Sequence, residues 1–325
     1  MSYDEKTMAA ARAEYRERVR RFEDGERRRT DALLSRSPRL REVEGELTRL
    51  SIRLARTALA GTPEDVRRIR ESAEALHARA GEILEEAGEE KDALRPRDFC
   101  PVCSGTGETE KGPCVCLLKV YKEKLLARYA RYLGASSFEN FDFEAYSDIV
   151  SPYYHAEPRG IAEFVFDQCA EYARRFRPEA GGGLFLHGGC GVGKSFLAAS
   201  VAREVIRNGY FAHYISAVEF FALAEKERFG RLSEEEAGDW QDAFSSDLLI
   251  LDDLGAEPSS AQSAPLLYRL LGERASMRRG TVLVSTLTKE EIAARYSPAV
   301  ESRISGELAD LLLIGEDLRK AGDNA

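Results

Sequence analysis

The sequence predicts an α/β protein: a parallel sheet built around a phosphate-binding loop, preceded by an α-helical hairpin and a small four-cysteine module. Three observations carry this reading. Residues 188–195 have the pattern G-x-x-x-x-G-K-S, set between an apolar run at 184–187 and a helix-like stretch from 196 to 202. Four of the six cysteines crowd into residues 100–116. Residues up to about 95 are rich in Ala, Arg, Glu and Leu, with helical periodicity and no strand signal.

The hairpin is read from its caps and its apolar spacing. Ser37-Pro38 offers an N-cap followed by proline at the first helical position, and Leu40, Val43, Leu47, Leu50 and Leu54 then recur at steps of three and four. Gly61-Thr62-Pro63 stops that helix and starts another, with Thr62 as N-cap and Asp65 as an early-turn carboxylate. Val66, Ile69, Ala73, Leu76, Ala80 and Ile83 form the second apolar line, and so short a turn packs the two lines against each other. Upstream, Arg16, Arg18, Arg20, Arg21, Arg27, Arg28 and Arg29 are interleaved with acidic residues, which describes a solvated helix face or a partner contact.

The cysteines read Cys100-Pro101-Val102-Cys103, ten residues, then Cys114-Val115-Cys116. Residues 1–6 lack the basic flank and apolar stretch of a signal peptide, so a cytoplasmic location is expected and metal is favoured over disulfides. Four soft thiolates match tetrahedral Zn²⁺, and Gly105, Gly107 and Gly112 let a short loop fold back over it. An iron–sulfur cluster and a redox pair are the competing readings. With cysteine at all four positions no coordination site stays open, so the expected role is structural. Cys169 reads as a buried core residue, and His77, His155, His187 and His213 are scattered without metal-ligand spacing.

A helix over 117–133 follows, carrying Lys119, Lys122, Lys124, Arg128 and Arg131 beside Tyr121, Tyr129 and Tyr132. That mixture suits nucleic-acid contact or a linker helix equally. Strand-like runs at 184–187, 211–216, 248–251, 281–285 and 311–314 then alternate with helical ones, which implies a parallel sheet with helical crossovers.

A strand feeding a glycine-rich turn and then a helix aims several backbone N–H groups and a helix N-terminus at one spot, the arrangement that holds a polyphosphate. Gly188, Gly189, Cys190, Gly191, Val192, Gly193, Lys194, Ser195 and the following Phe196 are the candidate nucleotide contacts. Lys194 would reach the β- and γ-phosphates, and the Ser195 hydroxyl would ligate Mg²⁺. Residues 247–253 form an apolar strand ending in Asp252 and Asp253. Asp252 would hold Mg²⁺ and Asp253 would orient the attacking water, although aspartate is one methylene shorter than the glutamate many related ATPases use. A net charge of −9 argues against a uniformly basic nucleic-acid coat, and no apolar run approaches the roughly 18 residues of a membrane span, so no membrane partner is expected.

Taken together, Ser137-Phe138-Glu139-Asn140-Phe141, the loop at 188–195, Leu251-Asp252-Asp253-Leu254-Gly255-Ala256-Glu257, the run 281–286, Glu301-Ser302-Arg303-Ile304 and Gly315-Glu316-Asp317-Leu318-Arg319 resemble the AAA+ ATPases that load the bacterial replicative helicase, the DnaC/DnaI type, and the related IstB transposition helpers. The resemblance spans most of 135–320. It implies an AAA+ fold and ATP hydrolysis stimulated by assembly or DNA. Thr286 falls at the sensor-1 position, usually asparagine; Arg303 at the arginine finger that reaches a neighbouring subunit's nucleotide; Arg319 at sensor 2. Self-association through the ATPase domain follows from such a finger.

The upstream hairpin and cysteines resemble the helicase-binding half of DnaI-type loaders. The implied organisation is a helical partner-binding region at 1–95, a zinc module at 96–120, a linker helix at 121–136 and an AAA+ domain at 137–325. The implied partners are the hexameric replicative DNA helicase and single-stranded DNA, the latter near 218–231 with Lys226, Arg228 and Arg231; the implied cofactors are ATP, Mg²⁺ and Zn²⁺. Two alternatives stay open: an IstB-like transposition helper ATPase, and a nucleotide-binding zinc adaptor without significant hydrolysis.

Overall fold

Pro38 and Pro63 each open a helix, as their fixed φ and missing N–H favour at a first helical position. The computed structural model describes residues 3–60, 62–95 and 97–321, so Gly61 of the hairpin turn and residues 1–2 lie outside the described residues. The chain divides into two compact units, Arg12–Leu117 and Met1–Ala11 with Leu118–Ala325.

The Arg12–Leu117 unit holds most of α1 (Glu5–Arg36), then α2 (Pro38–Ala60) and α3 (Pro63–Glu86). Thr62 caps α3 through a reciprocal pair: Asp65 N–H donates to Thr62 Oγ1 at 3.3 Å, and Thr62 N–H donates to the Asp65 carboxylate at 3.1 Å. α2 and α3 pack against each other with Leu40, Val43, Leu47, Ala80, Ile83 and Leu84 inside. Burial fades toward the turn, where Leu50, Leu54 and Val66 are only half-buried. Leu33 of α1 joins the same core, a third contribution that the arginine-dominated pattern of α1 conceals in sequence. The cysteine loop carries a two-stranded antiparallel ribbon, β1 (Glu108–Thr109) and β2 (Gly112–Pro113).

The expected helix at 117–133 is two helices, α4 (Val115–Arg128) and α5 (Ala130–Leu133). The break falls at Tyr129, whose backbone (φ −98°, ψ 13°) leaves the helical region and whose hydroxyl reaches His213 Nδ1 at 2.8 Å.

The larger unit continues with α6 (Pro158–Arg175), β3 (Gly183–Gly188), α7 (Lys194–Arg207), β4 (Ala212–Ser216), α8 (Ala217–Arg228), α9 (Glu234–Ser245), β5 (Leu248–Leu254), α10 (Ser263–Ser276), β6 (Gly280–Ser285), α11 (Lys289–Arg295), α12 (Pro298–Glu307), β7 (Leu308–Leu313) and α13 (Leu318–Ala321). The five strands form one parallel sheet in the order β4-β5-β6-β3-β7. β5 and β6 are buried along nearly their whole length, while the edge strand β7 mixes buried and exposed positions. Phe185, Leu249, Leu251, Leu267, Leu283 and Ile304 fill one core layer. The strand nearest the phosphate loop, β3, lies between β6 and β7, so the loop opens at the carboxyl edge of the sheet, where ligands of α/β sheets bind.

Arg274 on α10 is fully buried. Its guanidinium donates to the carbonyls of Ala243 (2.9 Å), Phe244 (3.2 Å), Ser246 (3.2 Å) and Gly280 (2.5 Å) and to Thr281 Oγ1 (3.0 Å), tying α9, α10 and the start of β6 together. Burial lowers its pKa to about 9, yet every donor direction is used, which is what makes a buried cation tolerable. Among the described residues no helix is long and apolar enough to cross a membrane.

Candidate nucleotide and metal sites

The loop between β3 and α7 is closed around two glycines. Gly191 has φ 73°, and a Cβ there would stand 1.7 Å from Asp317 Oδ1; Gly193 has φ 95°, and its Cβ would stand 2.5 Å from the Tyr146 hydroxyl. Tyr146 OH donates to Val192 O at 2.8 Å, and Leu318 N–H donates to Gly191 O at 3.1 Å. Two segments distant in sequence thus hold the loop, and Tyr146 does not stand out in the sequence by composition or spacing. Lys194 is buried, with Nζ donating to Gly188 O at 3.0 Å and Gly189 O at 2.5 Å. Burial lowers its pKa, opposed by the nearby Cys190, Asp252 and Asp253.

The carboxylate pair lies at an irregularity in β5. Register with β6 slips between Leu251 and Leu254, and Asp253 takes a left-handed φ of 55°, unusual for a residue with a Cβ. The strand therefore runs on to Leu254 instead of stopping at the carboxylates, with Asp252 buried and Asp253 exposed. Ser195 Oγ donates to Asp252 Oδ1 at 3.1 Å, Asp253 N–H donates to the same oxygen at 2.8 Å, and Tyr214 OH donates to Asp252 Oδ2 at 2.6 Å. Burial pushes the Asp252 carboxyl up, while the Tyr214 hydrogen bond pulls it back. The Tyr132 ring stacks on Tyr214 at 4.6 Å and 19°, and the Arg131 guanidinium lies 4.6 Å from the Tyr132 ring centre. Tyr214 is a site residue that sequence reading missed; its only signal is its position on the strand beside β5.

Lys194, Ser195, Asp252 and Asp253 converge. Cys190 is exposed within the loop. Phe196 packs edge-on against Phe141, centroids 5.6 Å apart. Arg319 is exposed beside the loop, with Nε donating to Asp317 Oδ1 at 2.9 Å. Arg303 makes its contacts elsewhere: Nη1 pairs with Glu307 Oε1 at 3.1 Å, and its guanidinium lies over Tyr268 at 4.4 Å. Thr286 is exposed at the end of β6, directly after Ser285, whose hydroxyl donates to Leu254 O at 2.5 Å. Glu257, which closes the L-D-D-L-G-A-E run, is buried and accepts from Gly255 N–H (2.9 Å) and Tyr296 OH (2.5 Å), so it anchors the turn after the carboxylates. A further acidic group, Asp239 and Asp242 beside His213, is already bridged by a cation: Arg128 Nη2 donates to both carboxylates at 2.6 and 2.9 Å.

In the other unit, the sulfurs of Cys100, Cys103, Cys114 and Cys116 all lie within 4.8 Å of one another. Cys100 to Cys114 is 3.9 Å and Cys103 to Cys116 is 3.5 Å. Tetrahedral bonds of about 2.3 Å place sulfurs about 3.8 Å apart, so the four thiols fit one zinc ion, and the set is too tight for a cluster of several irons. Gly107 N–H donates to Cys103 Sγ at 3.3 Å, and the Tyr15 hydroxyl lies 3.1 Å from Cys116 Sγ and 3.5 Å from Cys103 Sγ. Burial, and then the two thiols beside it, raise the Tyr15 phenol.

The parallel sheet, the glycine loop and the serine–aspartate pair define a P-loop nucleotide-binding domain. Residues 177–302 match the family model described as IstB-like ATP binding protein, and the chain resembles the DnaC/DnaI replicative helicase loaders. The replicative helicase loader DnaC of Buchnera aphidicola subsp. Baizongia pistaciae is 23% identical over 168 residues, 52% of this chain and 66% of its own. The replicative helicase loader DnaI of Bacillus subtilis (strain 168) is 23% identical over 176 residues, 52% of this chain and 55% of its own. The crystal structure of DnaI superposes with a TM-score of 0.45 at 20% identity, covering 58% of this chain and 93% of that one. The chain thus spans roughly half to two thirds of the length of these curated relatives.

Proposed function

We propose that this protein is an ATP-dependent loader of a replicative DNA helicase. The observation that carries the reading is the convergence of the Lys194 loop, Ser195 and the Asp252–Asp253 pair in a chain whose curated relatives are named replicative helicase loaders. Lys194 and the loop N–H groups bind the phosphates of ATP; Ser195 and Asp252 hold the metal; Asp253, exposed at the bulge, orients the attacking water. Mg²⁺, when bound, supplies neutralising charge at the phosphate oxygens. Thr286 contacts the γ-phosphate or the water, and Arg319 reaches the phosphates from beside the loop. Phe196 and Phe141 close the apolar side of the nucleotide.

Arg303 completes the site of a neighbouring copy, so hydrolysis is gated by self-association. ATP favours the assembled state on single-stranded DNA, and hydrolysis releases the helicase. The helical region to residue 95 grips the hexameric helicase, and Cys100, Cys103, Cys114 and Cys116 hold one structural Zn²⁺ that cross-links the loop at 100–116, with 121–136 as linker and 137–325 as motor. The compartment consistent with this role is the cytoplasm.

Phosphate release tests the reading. With helicase and single-stranded DNA present, the unsubstituted protein should turn over ATP, whereas Asp253→Ala should lose at least about tenfold, within the usual range for removing a group that handles the proton. Arg303→Ala should be inactive alone and rescued by mixing with Asp253→Ala, since each supplies what the other lacks. Equal negligible rates for unsubstituted protein and Asp253→Ala would favour the zinc adaptor reading.

A further inference from the structure

The four-cysteine loop is contacted along one stripe of α1. Arg12, Tyr15, Val19 and Phe22 recur at steps of three and four, which places them on one helix face. Arg12 Nη2 pairs with Glu108 at 2.9 Å, and the Tyr15 and Phe22 rings meet Phe99 edge-on at 5.5 and 5.6 Å. A Cβ at Gly107 would stand 2.9 Å from Tyr15 Cε1, and one at Gly105 would stand 3.4 Å from Val19. The loop backbone is thus laid directly on the helix. At the centre of this contact Tyr15, only 2% exposed, turns its hydroxyl to the sulfurs of Cys116 and Cys103.

Metal-bound thiolates keep lone pairs that accept hydrogen bonds, and outer donors of this kind orient the ligands and tune their basicity. We propose that Tyr15 is a positioning residue of the zinc centre, donating to the Cys116 and Cys103 thiolates and thereby coupling the docking of α1 to metal occupancy. This rests on the zinc reading above. Phe99, Val19 and Phe22 supply apolar contact that is indifferent to the metal, whereas the Tyr15 bond strengthens when the sulfurs are anionic. Linkage is reciprocal: whatever factor α1 docking adds to zinc affinity, zinc adds to docking.

Tyr15→Phe keeps the ring against Phe99 and removes only the donor. In the full chain, competition with a chromophoric chelator should show zinc held about 10- to 100-fold more weakly in Tyr15→Phe. With Co²⁺ in place of zinc, the sulfur-to-metal charge-transfer band should move to lower energy, because sulfur lone pairs rise when a donor is withdrawn. Hydrogen exchange over residues 12–36 should accelerate on chelation in the unsubstituted protein and gain little further from chelation in Tyr15→Phe. Zinc affinity within twofold and an unmoved cobalt band in Tyr15→Phe would overturn the assignment while leaving the zinc centre standing. Absence of stoichiometric metal in the unsubstituted protein would overturn both.

Discussion

The Tyr214 hydroxyl on β4 holds Asp252 Oδ2 at 2.6 Å, so the carboxylate that faces Ser195 is fixed from the neighbouring strand. Removing that donor in Tyr214→Phe leaves one carboxylate oxygen unsatisfied and free to turn. The apparent Mg²⁺ affinity in ATP turnover should weaken about tenfold, the low end of outer-ligand effects. A Mg²⁺ titration of phosphate release at saturating ATP checks this, and an unchanged curve would contradict it.

Gly191→Ala should abolish nucleotide binding. The left-handed backbone strains any residue with a Cβ, and a methyl would stand 1.7 Å from Asp317 Oδ1 and 3.0 Å from Asp317 Cα, so Asp317 and the loop it braces must shift. Gly45→Ala, mid-helix in α2 with nothing within 4 Å of its Cβ, should stabilise its unit, by about 0.5–1 kcal/mol. Binding of a fluorescent ATP analogue and thermal melts read the two effects.

Alkylation of Cys190 should block ATP binding, and ATP should protect it, because the thiol is exposed inside the phosphate loop. Mass spectrometry locates the adduct, and Cys190→Ala should bind ATP while resisting the block. Full binding after confirmed modification of Cys190 would remove it from the site.

Arg274→Met should cost at least about 3 kcal/mol of stability, since it strands four backbone carbonyls and Thr281 inside the core. Denaturant melts measure it; a loss under about 1 kcal/mol would show that water replaces the guanidinium.

What the sequence discloses follows from how local each signal is. The Lys194 loop, the Asp252–Asp253 pair and the four cysteines are contiguous or closely spaced, and both the sheet and the hairpin follow from apolar periodicity. Tyr146, Tyr214 and Tyr15 reach their sites only through tertiary packing, across separations that no spacing rule covers. The break at Tyr129 and the bulge at Asp253 were likewise hidden, because each depends on a partner strand or side chain outside its own run. Arg274 looks in sequence like any solvated helix arginine, yet its neighbours are carbonyls.

The tagged full chain, purified from its native cell with ATP and Mg²⁺ present, should carry the replicative helicase in stoichiometric amount, and the Lys194→Ala protein should fail to deliver that helicase to single-stranded DNA. Recovery of a transposase and no helicase would contradict the loader account and favour a transposition ATPase.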